Sequence, residues 1–264
     1  MNRFLATWAL LASALTAQAP ASDAPPDPAA QDRLLEAMEQ YGAQYISNLP
    51  NFLCLQVTHQ YEAGLNSNRW HTGDTLSSRL SFHDRQEKRT LELVNGKPAD
   101  PLKRRWHTPL TTEGEFGILL ANIAAPSSDA TFTWNRWEVV RGKRLAVFDF
   151  TVDREHSTLT MTLSDLAKAV LAYHGSVYAD PQTGAVWRIT DAVTSNIPPA
   201  LHLKEIATVI DYAETSIAGK IYLLPSTASV LTIEDNAKVR NDMEFQDYRK
   251  FEAETVIRFG DGHE

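Results

Sequence analysis

The stretch Tyr173 to Thr190, YHGSVYADPQTGAVWRIT, sets His174, Asp180 and Thr183 around Gly184. A histidine, a carboxylate and a hydroxyl are the groups that proton transfer and nucleophile activation require. The spacing argues for a simpler role. Asp180-Pro181 opens a turn and Gly184 supplies the positive φ that closes it. Both flanks alternate as strands, and His174 shares parity with Val170 and Tyr178 rather than with Leu171 and Tyr173. The stretch reads as a hairpin with a solvated or structural histidine.

The remaining candidates are scattered. His71 with Asp74 and His83 with Asp84 are the closest metal-like spacings, and neither has a second clustered pair. Glu113 and Glu115 stand two apart, so on a helix they point in different directions and serve its dipole. Lys103 to His107, KRRWH, is a small basic patch suited to solvent or to an anionic headgroup. Trp134 and Trp137 flank Asn135-Arg136, as a recognition edge or as core packing. Cys54 is the lone cysteine, so no internal disulfide forms, and its FLCLQV context favours burial over reactivity. The chain carries no Gly-x-Ser-x-Gly elbow, phosphate loop, dinucleotide fingerprint or His-Glu-x-x-His. No constellation requires catalysis, a metal or a cofactor, and the chain is expected not to be an enzyme.

The whole chain bounds the partners. Its 264 residues are 43% hydrophobic and 22% charged, enough for a sizeable core. A formal charge of −8 repels phosphate backbones and argues against nucleic acid. Arg3 followed by FLATWALLASALTA, with AQA and APA sites after it, predicts a cleavable signal peptide over 1–19. That run is too short for a membrane span, so none is expected in the mature chain, and a periplasmic or secreted location follows. Residues 20–30 read as a Pro/Ala-rich leader and 31–260 as a single β-rich domain.

Few helices are available to position anything. Leu34, Leu35, Met38, Tyr41, Tyr45 and Ile46 form one apolar stripe, with Asp27-Pro28 or Asp32 as cap and Pro50 as stop. Thr112 three residues before Glu115 predicts a short helix from about Glu113 to Ile123, ended by Pro126. Almost everything else has period two. Asn95-Gly96 and Arg141-Gly142 mark hairpins. Met243, Phe245, Phe251, Ala253, Ile257 and Phe259 share one parity near the end. The predicted fold is mainly β with a few helices (α+β): a curved antiparallel sheet or half-barrel packed on the N-terminal helix and a short mid-chain helix.

Tyr178, Asp180, Thr183, Gly184 and Arg188, followed by Tyr212, Gly219, Leu224 and Pro225, stand at turns and strand ends in an order that resembles the lipoprotein-carrier superfamily. That superfamily includes the outer-membrane lipoprotein localisation factor and an envelope-stress sensor. The chain is also similar to secreted bacterial proteins with LPNFLC, GEFG and YRKF segments. The resemblance implies a curved sheet over helices enclosing an apolar cavity, and hence a lipid, a lipoprotein acyl chain or another apolar ligand. Phe148, Phe150, Val152, Leu159, Met161, Leu163, Trp187, Ile189 and Leu223 are the candidate lining residues. The alternative is an envelope protein-interaction or stress-sensing module that takes no small ligand.

Overall fold

The structure, a computed structural model, describes residues 23–100, 118–164 and 167–251. The signal-peptide segment, the KRRWH patch, Glu113, Glu115 and the expected start of the second helix lie outside the described residues.

Helix α1 runs Pro28–Asn48, with Asp27 as its cap: Asp27 Oδ1 accepts from the Ala30 backbone N–H at 2.8 Å. Pro28 takes the first turn, where its missing N–H has no partner to lose. Of the apolar stripe, Met38 and Tyr45 are buried, and the other four pack on the same core. Helix α2 (Ile118–Ala124) packs against α1 at Gly42. A Cβ at Gly42 would stand 2.6 Å from the Ala124 Cβ, so that glycine lets the two helices touch. A 3₁₀ turn at Pro126–Ser128 follows, held by the Ser128 hydroxyl donating to the Ala125 carbonyl at 2.8 Å.

The strands are β1 (Phe52–Gly64), β2 (His71–His83), β3 (Gln86–Val94), β4 (Lys97–Pro98), β5 (Thr131–Val140), β6 (Lys143–Val152), β7 (Thr160–Ser164), β8 (Ala167–Val170), β9 (Tyr173–Ala179), β10 (Val186–Val193), β11 (Leu203–Ile217), β12 (Lys220–Glu234) and β13 (Ala237–Lys250). Eleven of them form one open antiparallel sheet in the order β4-β3-β2-β1-β13-β12-β11-β10-β9-β6-β5. The last strand, β13, pairs with the first, β1, and joins two meanders into one sheet. Its inner face gathers side chains from β1, β2, β6, β9, β10, β11, β12 and β13 into a single core cluster with both helices. The sheet twists and curves round α1 and α2 without closing into a barrel.

Two local patterns differ from the sequence expectation. The apparent strand AVLAYHGSVY is two strands in two sheets: β8 pairs with β7 in a separate hairpin, and β9 joins the large sheet. Leu171 between them is buried and donates its N–H to the Leu159 carbonyl at 3.0 Å, which turns the chain. The parity expected from Met243 onward breaks at Asp247, whose φ of 55° makes a bulge against β1. Tyr248 thereby turns inward, and its hydroxyl donates to the Pro225 carbonyl at 2.6 Å. Ala253, Ile257 and Phe259 lie outside the described residues.

Candidate functional site

The turn residues of the opening stretch hold the hairpin together. Asp180 Oδ1 accepts from the backbone N–H of Gln182 at 2.8 Å and of Thr183 at 3.1 Å, and Gly184 has a φ of 69°. His174 is exposed on the outer face. The other paired residues behave alike. His83 Nδ1 lies 3.3 Å from Asp84 Oδ2 in the open, and Asp74 Oδ1 accepts from Asn95 Nδ2 at 2.7 Å at a turn. Among the described residues no group of three or more His, Cys, Asp or Glu is placed to hold a metal ion. Cys54 is buried, and burial pushes its thiol up to about 12.

The outer face carries charge. Arg188 grips Asp211 through two hydrogen bonds, Nε at 2.7 Å and Nη2 at 3.0 Å, and lies 5.7 Å from the Tyr178 ring centre. Arg136 donates to the Tyr178 hydroxyl at 3.3 Å. Trp187 belongs here too. It packs on the small outer cluster of Val140, Leu145, Val147 and Tyr178, with Lys143 Nζ 4.1 Å above its ring. The structure therefore does not bring Trp187 to the other candidate lining residues.

The main core takes up most of the rest. Phe148, Phe150, Val152, Met161 and Ile189 are buried in the main core, and Leu159 and Leu223 pack against it. Leu163 lies in β7, where its backbone alone is described. Cross-strand register orders this face into rows. One row runs Trp134, Phe148, Val177, Ile189, Ile210, Ala228, Met243, Thr58, Leu76 and Val94, one residue from each of ten strands. Thr58 is its only polar member. Trp134 anchors the β5 end, packed edge-on to Phe148 at 5.4 Å and to Trp137 at 5.0 Å.

The next row has a different character. It runs Phe132, Phe150, Gly175, Asp191, Thr208, Val230, Asn241 and Gln60. Asp191 stands on the inward parity between Ile189 and Val193, hydrogen-bonded to Thr208. Gly175 opposes it, and a Cβ there would meet the Thr190 carbonyl oxygen at 1.9 Å, so only glycine lets β9 approach β10 this closely. Burial raises the Asp191 carboxyl to about 7, although the residue as a whole is only half-buried. Tyr173 is pushed up to about 12, by burial first and then by the Asp191 charge beside it. Thr208, Thr232 and Asn241 are all more than nine-tenths buried. Asn241 accepts from Gln60 Nε2 at 3.2 Å, whereas the Thr232 hydroxyl has no partner among the described residues.

Sequence reasoning missed Asp191, Thr208, Thr232 and Asn241. The signal was present in RITDAV, where one carboxylate shares the inward parity of two apolar neighbours. Among the described residues no helix is long and apolar enough to cross a membrane.

No protein-family model and no curated protein matches this sequence. Three solved structures align with most of it. A LolA superfamily protein from Nitrosomonas europaea is 9% identical, with 84% of this chain and 94% of that one covered and a TM-score of 0.33. A domain from Vibrio parahaemolyticus named for outer-membrane lipoprotein sorting is 10% identical, with 86% and 94% covered and a TM-score of 0.38. A DUF1329 family protein from Desulfovibrio piger is 9% identical, with 89% and 95% covered and a TM-score of 0.34.

Proposed function

We propose that this chain is an exported, non-catalytic protein that holds a lipid, an acyl chain or another apolar ligand against the inner face of its curved sheet. The observation that carries this reading is the ten-strand inner row, apolar at every position but Thr58. The sheet is open, and the helices described over its inner face are only α1 and the seven-residue α2. An apolar chain laid there gains about 0.8 kcal/mol per buried CH₂ and needs no polar motif. The order of Asp180, Gly184 and Arg188 resembles the lipoprotein-carrier superfamily and bears on the fold, each residue having a structural role in its hairpin or strand. Export rests on the predicted signal peptide over 1–19, and the mature domain is read as 31–260.

The test is native mass spectrometry of the protein exported by its own signal and purified without detergent. The expected result is a discrete added mass released as lipid on denaturation. A clean mass that stays clean after incubation with lipid vesicles overturns the reading.

The alternative, an envelope protein-interaction module, draws on one observation. Strand β5 is a ten-residue sheet edge, and Val139 on it is 66% exposed. Such an edge can accept a partner strand. Capture of an envelope protein by the clean apo form, lost on Val139→Lys, would favour it.

A further inference from the structure

The polar track across the inner face is costly to bury, and its hydrogen bonds satisfy it only in part. Asp191 opposes Thr208 directly. Thr208 pairs with Val230 and Ile206 with Thr232, which makes Thr232 the diagonal neighbour of Thr208. Val230 pairs with Asn241 and Thr232 with Val239, so Asn241 is the next diagonal neighbour. The track thus crosses β10, β11, β12 and β13 and ends on Gln60 of β1. The row on one side, Ile189, Ile210 and Ala228, is apolar; the row on the other, Val193, Ile206, Thr232 and Val239, is apolar but for Thr232. Apolar residues at these positions would pack without the cost of a buried carboxylate and an unpaired hydroxyl.

What the track offers is hydrogen-bond acceptance. Asp191 brings two carboxylate oxygens, and among the described residues only burial and the Thr208 hydroxyl act on its charge. The buried Thr232 oxygen is unpartnered. Arg136, Arg141 and Arg188 are committed to Glu138, Ser226 and Asp211 on the outer face. Resting on the apolar-ligand reading above, we propose that Asp191 and Thr208 form the headgroup subsite for an amphiphile bearing a primary ammonium, whose chain lies along the adjacent apolar row. The ammonium donates to the Asp191 carboxylate, the Thr208 hydroxyl completes the contact, and the Thr232 oxygen accepts from a head that extends along the track. A charge-assisted pair in a water-poor site contributes enough to set head-group preference, while chain burial sets the overall affinity.

Dodecylamine, dodecanol and dodecyl sulfate, each below its micellar concentration, would be titrated calorimetrically into delipidated protein and its Asp191→Asn variant. Asparagine keeps the size and the Thr208 hydrogen bond and removes the charge; circular dichroism melting checks that the variant folds. The expected result is dodecylamine bound at least about tenfold more tightly than dodecanol, with that preference lost in Asp191→Asn. Lysophosphatidylethanolamine against lysophosphatidylglycerol repeats the comparison with a phospholipid head. Preference for both amines points to the ammonium itself; preference for dodecylamine alone restricts the subsite to a simple amine, and either result supports the proposal. Equal affinities for amine and alcohol, or a preference that survives in Asp191→Asn, overturn the ammonium subsite and leave the apolar-ligand reading standing. Binding of none of the probes overturns both.

Discussion

Gly184 presses its backbone against Ala37, so that a Cβ at Gly184 would lie 2.2 Å from the Ala37 carbonyl oxygen. The β9–β10 hairpin tip is therefore a seat for α1, and the glycine serves both a φ of 69° and that approach. Gly184→Ala is expected to destabilise by about 1–2 kcal/mol from the left-handed backbone alone, and further by displacing α1. Gly96 is the control: its φ is 75°, and nothing lies within 4 Å of its added Cβ. Urea melts of both variants separate the two costs. Equal losses would refute the seating of α1 on this hairpin.

Arg188 and Asp211 make a bidentate ion pair on the outer face, with Asp211 only 14% exposed. Removing Arg188 leaves Asp211 with Arg141, whose Nη2 is 3.8 Å away. Arg188→Gln is expected to cost about 2 kcal/mol, and a double-mutant cycle with Asp211→Asn should return a coupling of about 1 kcal/mol or more. Additive losses would mean that the arginine acts by packing on Tyr178 instead.

Much of this fold was legible because period two and its punctuation are local properties. The cap at Asp27, the stripe through Met38 and Tyr45 and the turn at Asp180–Gly184 all follow from neighbours a few residues apart. The β7–β8 hairpin was not legible, because what separates it from β9 is the burial of Leu171 against a distant surface. The inward turn of Tyr248 was hidden for a related reason: a bulge at Asp247 reverses parity, and an aspartate carries no obligatory sign of it. The polar track is a register property. Asp191, Thr208, Thr232 and Asn241 come from four strands, and only the pairing of those strands sets them side by side.

Cys54 is expected to be inert in the folded protein. Its side chain is 3% exposed on the inner face, and burial holds the thiol near 12, so little nucleophilic thiolate exists at neutral pH. Ellman's reagent at pH 8 should label none of it within the time that labels it fully in urea. Rapid labelling of the native protein would show that this end of the inner face opens to solvent.

Asp191 should make the stability of the wild type depend on pH in the direction opposite to that of an ion-paired carboxylate. Its carboxyl stands at about 7 in the folded chain against 3.8 for an unperturbed one, mainly through burial. Below pH 3.8 both states hold the proton and the group costs nothing. Between pH 3.8 and about 7 the unfolded chain gives up the proton while the folded chain keeps it, so stability falls as pH rises. The slope from this one group is about 1.4 kcal/mol per pH unit. Above pH 7 the penalty is complete and constant. Asp191→Asn removes it, so the variant should match the wild type at acid pH and exceed it increasingly up to neutrality, by a few kcal/mol. Denaturant melts of the pair across this range cancel the titration of every other carboxylate. A variant that is less stable than the wild type at pH 8 would reveal a cation bound to Asp191 in the folded protein.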